Sequence, residues 1–238
     1  MLIQPIETII FDLDGTLRHN LPAADDIQYN FALQHGVQDA PGKQRLGARW
    51  SHFYWAQSGD LAADMDKFGE MDDAFWIHYT YRYLLALQLP HATAAELAPS
   101  LFQHMQDTFN PHSHVYPCVP STLQALKEAG YILGLVSNRS NPCQEECQQL
   151  GLLGYFDFAY VAAEVDAWKP DPRIFDRALE TSGSSPARTI YIGDNFYADI
   201  LGAQNASLQP VLIDPKGLFP EATCQTIRYI RDLTGLLL

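Results

Sequence analysis

The chain has 238 residues, a hydrophobic content of 47%, 18% charged residues and a formal net charge of −13. That length suits one large domain or a domain carrying a smaller second one, and the composition is globular rather than disordered. The negative balance, with no basic run anywhere, excludes a protein whose main task is gripping a nucleic-acid backbone or an anionic membrane, since both need clustered Lys and Arg.

No apolar run approaches membrane-spanning length, and the first residues lack a charged segment followed by a long apolar one. The sequence therefore predicts a soluble, cytoplasmic protein. Four cysteines in a chain this long do not make a disulfide scaffold.

In chain order, Ile9-Ile10-Phe11 reads as a short buried strand, closed by the turn-forming Gly15, and its end delivers Asp12 and Asp14. Side chains alternate along a strand, so the two carboxylates share one side of its carboxyl edge. Such a pair suits a hard cation such as Mg²⁺, which takes oxygen ligands and relieves the repulsion between the acids. The competing reading is a strand running into an Asx-turn and a solvated loop.

Ala23 to His35 then reads as a helix closed by Gly36, and Lys43 to Trp55 as a second with Leu46, Trp50 and Phe53 on one stripe. A break at Ser58-Gly59 leads into a poorly periodic stretch around Met65 and Phe68. Asp72 to Leu89 is predicted as the longest helix, stopped by Pro90, and Ala94 to Thr108 follows it. Between Arg18 and Asn110 no strand is predicted. The aromatic stripes of this block are core packing, and any that point outward are candidates to face a substrate.

After the Pro-bracketed connector Asn110 to Pro117, the pattern changes to alternating helices and strands. His112 and His114 read as solvated linker residues rather than metal ligands. A helix from Ser121 to Ala129 precedes the apolar run Tyr131 to Val136, which delivers Ser137-Asn138. Asn141 as a cap, Pro142 at the first helical position and Gly151 past the end frame a short helix, whose Cys143 and Cys147 read as small buried hydrophobes. Phe158 to Ala162 is the next strand, followed by Trp168-Lys169-Pro170 and a helix opened by Asp171-Pro172. Thr189 to Ile192 delivers Gly193-Asp194, a short helix carries Asp199, and Val211 to Ile213 and Ile227 to Ile230 complete the series. This alternation implies a doubly wound parallel sheet with ligands at the carboxyl ends of its strands.

Those ends carry an acid pair (Asp12, Asp14), a hydroxyl (Ser137), a lysine (Lys169) and a second acid pair (Asp194, Asp199). Each alone has an ordinary explanation as a turn, cap or surface residue; their joint occurrence in this order does not. In these motifs the sequence closely resembles the haloacid dehalogenase superfamily. Asp12-Leu13-Asp14-Gly15-Thr16 is similar to its first motif, Ser137 to the second, Lys169 to the third, and Gly193-Asp194-Asn195-Phe196-Tyr197-Ala198-Asp199 to the fourth. The resemblance implies an α/β fold, with a Rossmann-like doubly wound core over 1–17 and 111–238. An all-helical cap of the C1 type would occupy 18–110 as a mobile lid. Only 31 residues lie between Ser137 and Lys169, too few for the alternative cap position.

The resemblance also implies the chemistry, a phosphatase acting on a small phosphorylated metabolite, with no nucleic-acid polymer and no membrane as partner. Asp12 would attack phosphorus, and Asp14 would serve as general acid and then base. Mg²⁺ would be held by Asp12, the Asp14 carbonyl and Asp194, with Asp199 and Thr16 in support. Ser137 and the backbone N–H of Asn138 would bind the phosphoryl group, and Lys169 would neutralise Asp12 and the transferred group. Superfamily rivals are a phosphomutase and a dehalogenase, against which Asp14 speaks because a leaving halide needs no proton. A phosphonatase would need a cap lysine, for which Lys43 and Lys67 are the candidates. Outside these stand a response-regulator receiver, disfavoured by the helical insert, and a non-catalytic phosphate-binding relative. Arg18 and His19 read either as leaving-group contacts or as hinge surface.

Overall fold

Four β-branched or aromatic residues, Thr8–Phe11, form the first strand, β1, and all are buried. The computed structural model describes residues 5–40 and 42–238. The chain forms two compact units, one of residues 20–113 and one of residues up to 19 together with 114–238.

Where the chain passes between them, β2 (His19–Leu21) and β3 (His112–His114) pair in a two-stranded sheet. This corrects the expectation of a strand-free stretch from Arg18 and of His112 and His114 as mere linker. The pairing partners lie some ninety residues apart in sequence, so no local pattern announces them.

The unit of residues 20–113 is helical: α1 (Ala24–Gln34), α2 (Lys43–Trp55), α3 (Gly59–Phe68), α4 (Asp73–Ala86) and α5 (His91–Thr108). The supposedly aperiodic stretch around Met65 is the helix α3. Ser58 is its cap, accepting from the Leu61 N–H at 3.1 Å, so the apparent break is a start signal. The longest helix is α5 with 18 residues, not α4 with 14; it begins directly after Pro90 and runs through Pro99. Inside this unit the buried Asp64 accepts hydrogen bonds from Tyr54 Oη at 3.0 Å and Arg82 Nη2 at 2.9 Å, tying α2, α3 and α4 together. Tyr54, Phe75, Tyr79 and Tyr83 are core and all buried, whereas Leu46 and Phe53 of the stripe expected on α2 are exposed and Trp50 is half-buried.

The other unit continues with α6 (Cys118–Glu128), β4 (Ile132–Ser137), α7 (Gln144–Gln149), β5 (Phe158–Val161), α8 (Ala162–Val165), α9 (Pro172–Ser182) and β6 (Thr189–Gly193). A π-helical turn, Phe196–Ile200, leads into α10 (Leu201–Asn205), then β7 (Gln209–Ile213), β8 (Gln225–Ile227) and α11 (Asp232–Leu237). Asp171 caps α9 as expected, whereas α7 begins two residues later than Pro142, with Cys143 at the cap position. Cys143 and Cys147 are both fully buried. The last strand ends at Ile227 rather than running to Ile230, because Asp232 Oδ2 accepts from the N–H groups of Arg228 and Tyr229, at 3.0 Å each, and turns the chain into α11.

The sheet has six parallel strands in the order β5-β4-β1-β6-β7-β8. Alternation along β1 fills both faces. Ile9 and Phe11 join Leu123 and Leu126 of α6 and Leu133 of β4, while Ile10 joins Phe175 and Ala178 of α9 and Tyr191 of β6. The fold is the doubly wound α/β arrangement anticipated from the sequence. The chain moves from β1 outward to β4 and β5, then returns to the other side of β1 at β6, which puts the topological switch at the carboxyl end of β1. Among the described residues no helix is long and apolar enough to cross a membrane.

Candidate active site

Phe11 is level with Leu135 of β4 and Ile192 of β6, so Asp12 leaves β1 just where its two neighbours also end. The Asp12 N–H still bonds Ile192 O at 2.8 Å, fixing its backbone to the sheet. Ser137 is the last residue of β4, buried at 1% exposure, and Asp194 follows the last residue of β6. The strand-end acids and hydroxyl are thus gathered at one edge by register alone.

Lys169 is brought to them from the loop before α9. Its side chain is 2% exposed, and Nζ donates to Asp12 Oδ1 at 2.6 Å, Asp199 Oδ1 at 2.7 Å and Tyr191 Oη at 2.9 Å. Tyr191 Oη donates in turn to Val136 O at 2.9 Å. Asn138 holds the lysine by its backbone: its Oδ1 accepts from Lys169 N–H at 2.7 Å, and its Nδ2 donates to Lys169 O at 2.9 Å. The Asn138 side chain is therefore engaged in placing Lys169, leaving only its backbone N–H for the role expected of it.

Carboxylate oxygens of Asp12, Asp194 and Asp199 lie within 4.8 Å of one another. Burial pushes the Asp12 carboxyl up to about 7, with Asp199 and Asp14 adding to the shift and Lys169 opposing it. Asp194 is pushed well above the ordinary carboxylate range by burial and by repulsion from Asp12 and Asp199. Burial works against the charge of Lys169, but Asp12 and Asp199 outweigh it and hold the ammonium well above its usual value. Three acids against one fixed ammonium leave an excess of negative charge. Hard oxygen donors this close and this poorly neutralised fit a divalent cation, which would lower the proton affinity of Asp12 and Asp194.

Two glycines make room for this crowd. Gly15 sits at φ +88°, and a Cβ there would lie 2.3 Å from Asp194 Oδ2. A Cβ on Gly193 would lie 2.2 Å from Asp199 Oδ2. Thr16 Oγ1 donates to Asp194 Oδ1 at a long 3.4 Å, and the Asn195 N–H donates to Asp199 Oδ2 at 2.9 Å, while Asn195 Oδ1 caps the π-helical turn that carries Asp199.

Asp14 stands apart from the acid cluster. Arg139 forks onto its two oxygens at 2.5 Å each, and Arg18 Nη1 reaches Oδ1 at 3.1 Å. Sequence reasoning missed Arg139, Glu146 and Tyr191. Arg139 directly follows Ser137-Asn138, and Tyr191 puts a hydroxyl between Ile190 and Ile192 in the middle of a buried strand; those were the available signals. Arg18 belongs to the Asp14 surroundings, whereas the His19 ring lies against Tyr116 at 5.0 Å and its pKa is lowered by burial and by His114 and Arg18.

A phosphoserine phosphatase of Thermus thermophilus is 30% identical to the chain over 237 residues, covering 91% of each. A glyceraldehyde 3-phosphate phosphatase of Methanothermobacter thermautotrophicus is 40% identical over 100 residues, a match spanning 42% of this chain and 44% of that protein. Among solved structures, a 2-haloacid dehalogenase from Pseudomonas syringae pv. Tomato superposes with a TM-score of 0.57 at 23% identity, over 98% of both chains, a likeness of fold. The haloacid dehalogenase-like hydrolase family model matches residues 6–207, and the chain belongs to that family of hydrolases.

Proposed function

We propose that the protein is a Mg²⁺-dependent phosphatase that hydrolyses a small phosphomonoester metabolite through an aspartyl-phosphate on Asp12. One observation carries this reading: Asp12 sits at the carboxyl end of the central strand, paired with a buried lysine and crowded by two further acids. Two matched relatives that bear phosphatase names support the same chemistry.

In the first half-reaction an Asp12 carboxylate oxygen bonds to phosphorus as the bond to the leaving alcohol breaks, and the leaving-group oxygen takes a proton from Asp14. In the second, water attacks phosphorus, the bond to Asp12 breaks and the water proton returns to Asp14, releasing inorganic phosphate. Lys169 neutralises Asp12 and the transferred group, Ser137 and the Asn138 backbone N–H bind phosphoryl oxygens, and Asp199 and Thr16 support the cluster. Asp12, the Asp14 carbonyl and Asp194 would hold the Mg²⁺, which supplies positive charge to the phosphoryl oxygens. Residues 18–110 act in this reading as a C1-type cap, supported by the separate helical unit of residues 20–113. The setting is the cytoplasm, where unpaired cysteines such as Cys143 and Cys147 stay reduced.

Phosphate release from a panel of small phosphomonoesters, with Mg²⁺ and then with a chelator, tests the proposal. Release is expected to require Mg²⁺ and to fall by at least about a thousandfold in Asp12→Asn, whose circular dichroism should match the parent. Undiminished turnover in the folded variant would sink the mechanism.

A further inference from the structure

The environment of Asp14 is built from three residues that the reaction scheme above does not use. Arg139 Nε and Nη2 bond its two oxygens at 2.5 Å each, and Arg18 Nη1 adds a third bond at 3.1 Å. Glu146 accepts from Arg139 Nη1 at 2.5 Å and from Arg18 Nε at 3.0 Å. Two guanidinium groups and two carboxylates thus alternate in a closed ring, all within one unit of the chain. Arg139 comes from the residues after β4, Glu146 from the first turn of α7, and Arg18 from the loop that follows Asp14. The Arg139 and Arg18 side chains are only 21% and 15% exposed.

A bidentate fork fixes both the position and the plane of a carboxyl group, which a single hydrogen bond or a lysine cannot do. Because its charges balance, the ring exerts little pull on a further anion. Glu146 gives Arg139 an anchor independent of Asp14, so the guanidinium stays aimed at that carboxyl group. We propose that Arg139, steadied by Glu146, is a positioning residue that sets the Asp14 carboxyl group for proton transfer to the leaving-group oxygen. This inference rests on the phosphatase reading.

When the bond from phosphorus to the alcohol oxygen breaks, its electron pair goes to that oxygen, which then takes the Asp14 proton. How much that proton matters depends on the ester. A p-nitrophenolate departs readily without it, whereas an alkoxide does not. The ratio kcat/KM extends only through release of the alcohol, so it reports this half-reaction apart from the later attack by water.

The experiment compares kcat/KM for p-nitrophenyl phosphate and for β-glycerol phosphate, both with saturating Mg²⁺, in the parent, Arg139→Met, Arg139→Lys and Glu146→Gln, with Asp14→Asn as reference. Arg139→Met is expected to depress the alkyl ester at least tenfold more than the aryl ester, in the direction set by Asp14→Asn. Arg139→Lys keeps the charge without the fork and should shift the ratio in the same direction, which preserves the test if the Met variant does not fold. Glu146→Gln should move it by about threefold. Equal losses on the two esters would overturn the proposal in favour of a purely structural ring. A loss seen only in KM for a carboxylate-bearing ester such as phosphoglycolate would overturn it too, assigning Arg139 to a substrate anion. A parent protein that releases phosphate from neither ester would instead overturn the phosphatase reading itself, and this inference with it.

Discussion

A methyl group on Gly193 would meet Asp199 Oδ2 at 2.2 Å and its Cγ at 2.3 Å, and Asp199 cannot retreat without leaving Lys169. Gly193→Ala is therefore expected to cost about 1–3 kcal/mol in urea denaturation, whereas Gly154→Ala, with nothing within 4 Å, should change little. Lys169 has the opposite problem. Removing its ammonium in Lys169→Met leaves Asp12 and Asp199 buried without their counter-charge, a change expected to cost about 3–5 kcal/mol in metal-free protein. Mg²⁺ should restore part of that loss in the same measurement; no recovery would count against a cation among these acids. Asp12, Asp14, Ser137, Lys169 and Asp194 were legible because each lies at or just past the end of an apolar strand run or in a Pro-bounded loop, where local pattern marks the position. Tyr191, Arg139 and Glu146 were not, because what makes them part of the site is a tertiary approach between residues 7 to 128 positions apart in sequence.

Among the elements, α4 carries a pH-sensitive contact. His78 Nε2 lies 3.2 Å from Asp64 Oδ1 and accepts from Arg82 Nε at 3.2 Å, a bond that only the neutral ring can accept. Burial, with Lys67 and Arg82 assisting and Asp64 opposing, holds its pKa below the ordinary 6.5. As pH falls through about 6.5, the unfolded chain takes up a proton that the folded ring refuses, so this group lowers stability on the acid side. Thermal denaturation should show the parent losing stability between pH 7 and pH 5 relative to His78→Gln, whose side-chain oxygen still accepts from Arg82. An unchanged difference across that range would remove His78 from the account. The strand–helix alternation was readable from apolar runs and caps, as with Asp171 before α9. It failed where no periodic apolar run marked the capping residue: Ser58 starting α3, and Asp232 ending the last strand at Ile227. The β2–β3 pair was invisible for a different reason, since each strand is three residues long and its partner lies some ninety residues away in sequence.

For the molecule as a whole, an excess of carboxylates surrounds a site that, in the proposed function, receives a dianionic ester. With a formal charge of −13, the long-range field repels such a ligand, and binding must rely on short-range partners: Lys169 and a bound cation. Those two scales respond differently to salt. Raising ionic strength from about 0.02 M to about 0.2 M shortens the Debye length from roughly 20 Å to roughly 7 Å. That screens the distant repulsion while leaving contacts of 2.5–3 Å largely intact. kcat/KM for a phosphomonoester at saturating Mg²⁺ is therefore expected to rise about twofold or more over that range, and kcat to change little. A fall in kcat/KM would mean that Lys169 and the bound cation, not the net charge, dominate the field met by the approaching substrate. The steering would then be local and attractive, and lowering Mg²⁺ below saturation should weaken the salt effect.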